Sequence, residues 1–294
     1  MRTMENEYLR VCVEDRGAQL CSLYDKVENR EMLWEADAKV WGYHAPLLFP
    51  FVGMVNGGEY RYKGKTYQVR QHGFAREKDF SCLLADEGKI VHRLEADEDT
   101  KKRYPFDFCL DVTHELKGRD LQVSWHVVNP SGSEKLYFSI GAHPGFRVPV
   151  SAGEKKEDCC VLFHGKEELK YILVDLDVTA ADCGHVYTQK LDNGYLKLTR
   201  HLFDIDTFIY EGGQVEKVSV CGADRKPYIT VTCPGFPYFG LWTKSDEAPY
   251  VCLEPWYGRL DDKGFSGELP EKTGILCLEP GESFDASYLI SLCP

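Results

Sequence analysis

The chain has 294 residues, 43% of them hydrophobic and 13% aromatic, which is ample material for a sizeable core and excludes a disordered chain. Its 35 Lys and Arg against 47 Asp and Glu give a formal net charge of -12, which disfavours attraction to nucleic acid or to an anionic membrane surface. A phosphorylated small molecule stays compatible, because a local Arg binds one inside an acidic protein.

Residues 1–17 carry one early basic residue, then Glu5 and Glu7, with no apolar stretch of the kind a signal peptide needs. The richest apolar run, residues 46–55, is interrupted by Pro50 and Gly53 and falls short of the roughly 18 residues of a membrane span. A cytoplasmic location is the expectation. Farther along, residues 59–62 and 66–69 flank Lys63-Gly64-Lys65 and predict a hairpin, with Gly64 free to take a positive φ. The charged stretches 97–103 and 151–158 read as exposed turns or loops. Residues 113–116 and 121–128 predict a second hairpin, and residues 194–198 with 208–210 a third, joined through Leu202-Phe203. With no repeat, low-complexity tract or hinge, the expected architecture is all-β: a large antiparallel β-sandwich in one domain spanning 1–294.

The 12 cysteines contain no CxxC, and several lie in apolar alternation, such as Cys12 and Cys252. They read as reduced thiols acting as small core hydrophobes. Gly58 and Gly64-Lys65-Thr66 miss the phosphate-loop spacing, and His114-Glu115 lacks the second histidine of a zinc-protease helix, since Gly118 stands there. Neither GxSxG nor GxGxxG occurs, so nucleophile-elbow acyl transfer and dinucleotide binding lack sequence support.

Three segments set a titratable residue among glycines, prolines and aromatics: Gln71-His72-Gly73-Phe74-Ala75-Arg76, Gly141-Ala142-His143-Pro144-Gly145-Phe146 and Cys252-Leu253-Glu254-Pro255-Trp256-Tyr257-Gly258. Groups of this kind, carried on a rigid sheet, suit general acid–base work. Pro144 and Gly145 turn the chain sharply after His143. Glu254 follows the apolar run Val251-Cys252-Leu253, so it either has a buried partner or faces a cleft.

Together with Pro50-Phe51-Val52-Gly53, these segments resemble the aldose 1-epimerase (galactose mutarotase) family, and its LacX-like branch most of all, over residues 8–290. The resemblance implies a large antiparallel sandwich with an open concave sugar-binding face. It also implies Glu254 as the base that takes the anomeric hydroxyl proton and His143 as the acid that protonates the ring oxygen. It adds His72 and Asp206 as sugar-binding groups, with Asp204 two residues away as the alternative to Asp206. Only protons move in this chemistry, so no metal or redox cofactor is expected. Trp256, Phe74 and Phe146 are candidates for an apolar floor under a pyranose, the two phenylalanines being expected in the core.

One departure stands out. Related sequences carry an Arg after the PFVG-like segment where this chain has Met54, so either Arg76 or Arg70 compensates or the substrate differs. The expected activity is mutarotation of a free hexose. The alternatives are a non-catalytic sugar-binding or regulatory protein of the same fold, and an epimerase of hexose 6-phosphates using Arg76.

Overall fold

Two large antiparallel sheets carry the fold in the computed structural model, which describes residues 1–151 and 153–293. One has nine strands in the order Tyr195–Lys197, Cys160–Phe163, Lys217–Cys221, Pro227–Thr232, Ser283–Leu292, Asp120–Val128, Cys109–Lys117, Lys89–Glu95 and Ser81–Ala85. The other has eight. Its path runs Ala180–Lys190, Glu168–Asp175, Phe208–Glu211, Tyr238–Trp242, Tyr250–Tyr257, Ile140–Ala142 and Leu47–Leu48, and Gly145–Arg147 also pairs with Tyr250–Tyr257.

Period-two alternation explains how the nine-stranded sheet packs. Leu110, Val112, His114 and Leu116 on one strand and Leu121, Val123, Trp125 and Val127 on the next are buried, while the residues between them are partly exposed. Their buried faces meet the eight-stranded sheet, as where Phe163 packs against Tyr210 with ring centroids 5.4 Å apart. Each such side chain contributes roughly 1.5–3 kcal/mol by leaving water.

The strand Tyr250–Tyr257 is buried on both faces. Val251 and Leu253 join the main core, so Cys252, Glu254 and Trp256 project from the opposite face. Two core-like faces give the continuous apolar run in the sequence, and the lone carboxylate in it is the residue that needs a separate explanation.

The hairpins Glu59–Tyr62 with Lys65–Gln68 and Cys109–Lys117 with Asp120–Val128 form as the sequence predicts. The third does not. Tyr195–Lys197 pairs with Cys160–Phe163 in one sheet, whereas Phe208–Glu211 pairs with Tyr238–Trp242 in the other. Local alternation marks both as strands but carries no information on their partners. Residues 97–103 also differ from expectation, because Glu98–Arg103 is a short helix. Asp97 accepts from the Thr100 amide at 2.6 Å and Thr100 Oγ1 accepts from the Asp97 amide at 2.8 Å, a reciprocal cap that offsets the polarity of the run. Lys156–Asp158 makes a single 3-10 turn.

All twelve thiols are free. Cys159, Cys160, Cys221, Cys233 and Cys252 are buried, as small hydrophobes would be, whereas Cys183 and Cys277 are exposed. No described helix is long and apolar enough to cross a membrane.

Candidate active site

Strand register brings the two proposed proton-transfer residues together. Gly141 pairs with Trp256 and Gly145 with Cys252, so the position between them, His143, falls opposite Glu254 on the same face of the sheet. Pro144 has no N–H and interrupts the pairing there, while its carbonyl still accepts from the Leu253 amide at 3.3 Å. His143 Nε2 lies 3.3 Å from Glu254 Oε2. Neither Glu254 oxygen nor His143 Nδ1 has a hydrogen-bond partner of acceptable geometry, although Glu254 is only 1% exposed and His143 7%. Unpartnered buried polar atoms are costly, and both residues that carry them here line one space.

That space is a cavity of about 470 Å³, within the range that takes small organic ligands. His72, Arg76, His143, Asp206, Glu254 and Trp256 all line it, as does Met54. Burial, then the charge of Asp206, pushes the Glu254 carboxyl well above the usual range; the Trp256 indole works the other way. Burial pushes His143 down to about 3. His72 is also held well below the ordinary imidazole value, by burial and then by His143 and Arg76.

A close backbone approach positions His72. The Phe74 and Ala75 amides both donate to the Phe49 carbonyl, at 3.0 and 3.1 Å, and a Cβ at Gly73 would stand 2.4 Å from that oxygen. Gly73 is therefore required by space as well as by its φ of +71°. His72 itself adopts φ 67°, and the Gly53 amide donates to its Nδ1 at 3.1 Å. Its ring stands edge-on to His143, with centroids 5.5 Å apart.

Trp256 lies across a glycine groove. Gly240 and Gly141 flank its strand, and a Cβ at either would come within 2.4–2.5 Å of the indole. The ring lines the cavity and packs with Leu48, Val52, Ile172 and Ile209 beneath it. Phe74 and Phe146 are in the main core, as expected.

Of the two candidate aspartates, Asp206 lines the cavity, while Asp204 is exposed and holds His201 Nδ1 at 2.9 Å. A shared face was expected for a regular strand, but residues 200–205 form turns and Asp206 takes φ 66°. Thr207 donates to Asp206 Oδ1 through its amide at 2.8 Å and its hydroxyl at 2.7 Å. Arg76 lines the cavity, stacks on Tyr43 at 4.8 Å and donates to the Gln71 carbonyl, which leaves its buried Nε without a partner. Arg70 does not line it and lies 3.5 Å from Glu77 instead.

Sequence reasoning missed Trp41 and Trp242, which pack on His143 with ring centroids 5.0 and 5.4 Å away. Lys244 also lines the cavity. No motif surrounds any of the three, and a lone Trp reads as core.

The two-sheet antiparallel sandwich thus carries a buried His–Glu pair beside a cavity on one of its sheets. The aldose 1-epimerase family model matches residues 1–287, and the chain belongs to that family. Among solved structures, a galactose mutarotase related enzyme from Lactobacillus acidophilus is 34% identical with a TM-score of 0.93, over 99% of this chain and 97% of that one. A galactose mutarotase-like protein from Lactobacillus casei is 28% identical with a TM-score of 0.90, each chain fully covered at 100%. Protein LacX, chromosomal, of Lactococcus lactis subsp. lactis is 28% identical over 296 residues, 97% of this chain and 98% of the relative.

Proposed function

We propose that this protein is an aldose 1-epimerase in activity, interconverting the α and β anomers of a free hexose. The observation that carries the reading is the buried His143–Glu254 pair, 3.3 Å apart, unpartnered, and facing a cavity of ligand size.

Glu254 takes the proton from the anomeric hydroxyl while His143 gives one to the ring oxygen. The C1–O5 bond breaks, C1=O1 forms, and rotation about C1–C2 followed by the reverse transfers closes the other anomer. Burial favours a neutral imidazole beside a protonated carboxyl, so the pair holds one proton between them. Ring opening converts carboxylate and imidazolium into that neutral pair, which burial of both groups stabilises. Positioned acids and bases supply roughly 10²–10⁴-fold each. His72 and Asp206 bind hydroxyls, Arg76 adds a charged donor, and Trp256 offers a flat apolar surface beneath the ring.

A second reading, a hexose 6-phosphate as substrate, is favoured by the unpartnered Nε of Arg76 and by Lys244 at the cavity. One-dimensional exchange NMR of the anomeric protons of glucose, galactose and glucose 6-phosphate tests both readings. Accelerated exchange that disappears in Glu254→Gln is the expected result, and the sugar accelerated most separates the two. Equal rates in wild type and Glu254→Gln would leave a sugar-binding protein without catalysis.

A further inference from the structure

Cys252 lies two residues before Glu254 on the same strand and projects to the same face. Its Sγ, a ring nitrogen of His143 and a Glu254 oxygen all lie within 4.8 Å of one another, and all three residues are buried. Two ligands on a tetrahedral zinc, each about 2.0–2.1 Å from the metal, stand about 3.3 Å apart. The His143 Nε2 to Glu254 Oε2 separation is 3.3 Å without hydrogen-bond geometry between them.

We propose that His143, Cys252 and Glu254 form a three-ligand site for a zinc-class divalent cation, which enters through the sugar cavity and blocks the proton-transfer pair. The donor set of one imidazole, one thiolate and one carboxylate suits zinc or cobalt and not magnesium or calcium, which take oxygen ligands. On binding, the Cys252 thiol proton and the one proton held between His143 and Glu254 both leave to solvent as the metal–ligand bonds form. A thiolate and a carboxylate then balance the two positive charges, which keeps the buried site neutral overall. The fourth position opens to the cavity, where water or a sugar hydroxyl completes the tetrahedron.

Two other clusters of ligating residues are poorer. Asp15, near Cys82 and His92, is already held by the Arg2 guanidinium at 2.9 and 3.1 Å. His201, Asp204 and Asp246 lie at the surface, where water competes and their partners are one another.

The blocking effect rests on the proton-transfer reading, whereas the binding does not, so the test reads binding first. Cobalt(II) is titrated into the reduced protein and its spectrum recorded, then zinc is added. One equivalent of cobalt is expected to give the intense visible bands of a tetrahedral ion and a sulfur-to-metal charge-transfer band, both abolished by zinc. Cys252→Ser, with its fold checked by circular dichroism, is expected to lose the charge-transfer band. His143→Asn, which removes a ligand, is expected to weaken binding by more than the roughly 10–100-fold that losing an outer-shell partner costs. No stoichiometric band in the wild type, or a band unchanged in Cys252→Ser, overturns the site, and the wild-type titration stands even if a variant misfolds. Zinc is also expected to suppress anomer exchange, with recovery on adding a chelator. Cobalt binding without any anomer exchange would keep the site and overturn the proposed activity; exchange indifferent to bound zinc would overturn the blocking role.

Discussion

The Gly53 amide donates to His72 Nδ1 across 3.1 Å, so the neutral imidazole of His72 carries its proton on Nε2. One backbone group thereby sets the tautomer of a cavity residue, making it a hydrogen-bond donor. An Asn at this position offers an acceptor near the place of Nδ1 and tolerates the positive φ, but it removes the Nε2 donor. His72→Asn is expected to melt near the wild-type temperature while losing roughly 10²-fold in kcat/KM, the usual cost of one oriented donor. Calorimetry beside exchange kinetics checks it, and a large drop in melting temperature would make His72 a structural residue instead.

Glu254 has two buried oxygens without a protein partner, an arrangement that favours chemistry over stability. Glu254→Gln keeps the shape and removes the titration. The expected outcome is a melting temperature at or above that of the wild type together with loss of roughly 10²–10⁴-fold in rate. Calorimetry at neutral pH decides the first part; a clear fall in melting temperature would mean that the carboxyl stabilises the fold.

Arg76 is the only guanidinium among the described cavity-lining residues, and Tyr43 packs on it. A hydrogen bond to a charged group contributes about 1.5–3 kcal/mol, so Arg76→Gln is expected to raise KM by roughly tenfold or more. For a hexose phosphate the loss exceeds that for a free hexose, because a full charge is lost rather than a donor. Saturation curves with galactose and glucose 6-phosphate measure the difference directly.

His114 sits in the main core, where burial, with a smaller push from His92, moves its imidazole down to about 3. Unfolded, it titrates near 6.5. Between those values only the unfolded chain binds this proton, so the stability is complete above about pH 6.5 and falls as the pH drops towards 3. One such proton is worth about 1.4 kcal/mol per pH unit. His114→Leu is expected to flatten the acid limb of stability by that one-proton slope, which urea midpoints at about pH 7, 5.5 and 4.5 measure.

The sequence made the strands and the site residues readable in different ways. Leu110 to Leu116 and Leu121 to Val127 announced their strands by alternation, because one face of each is in water. Alternation is blind to partners, so residues 195–197 and 208–211 looked joined while belonging to different sheets. The approach of His143 to Glu254 depends on the pairing of Gly141 with Trp256, more than a hundred positions apart, and only the family resemblance supplied it beforehand. Trp41 and Trp242 carried no local signature. The choice between Asp206 and Asp204 turned on backbone dihedrals in a run of turns, which composition does not encode.

The left-handed backbone at His72 and Asp206 constrains how this cavity diversifies. Most replacements at either position strain the main chain as well as change the ligand contacts, so single steps from them tend to cost stability together with binding. Met54, Thr207 and Lys244 border the same space without a positive φ. New ligand preferences are therefore most accessible through those three positions, and a library directed at them samples specificity with less selection for backbone rescue.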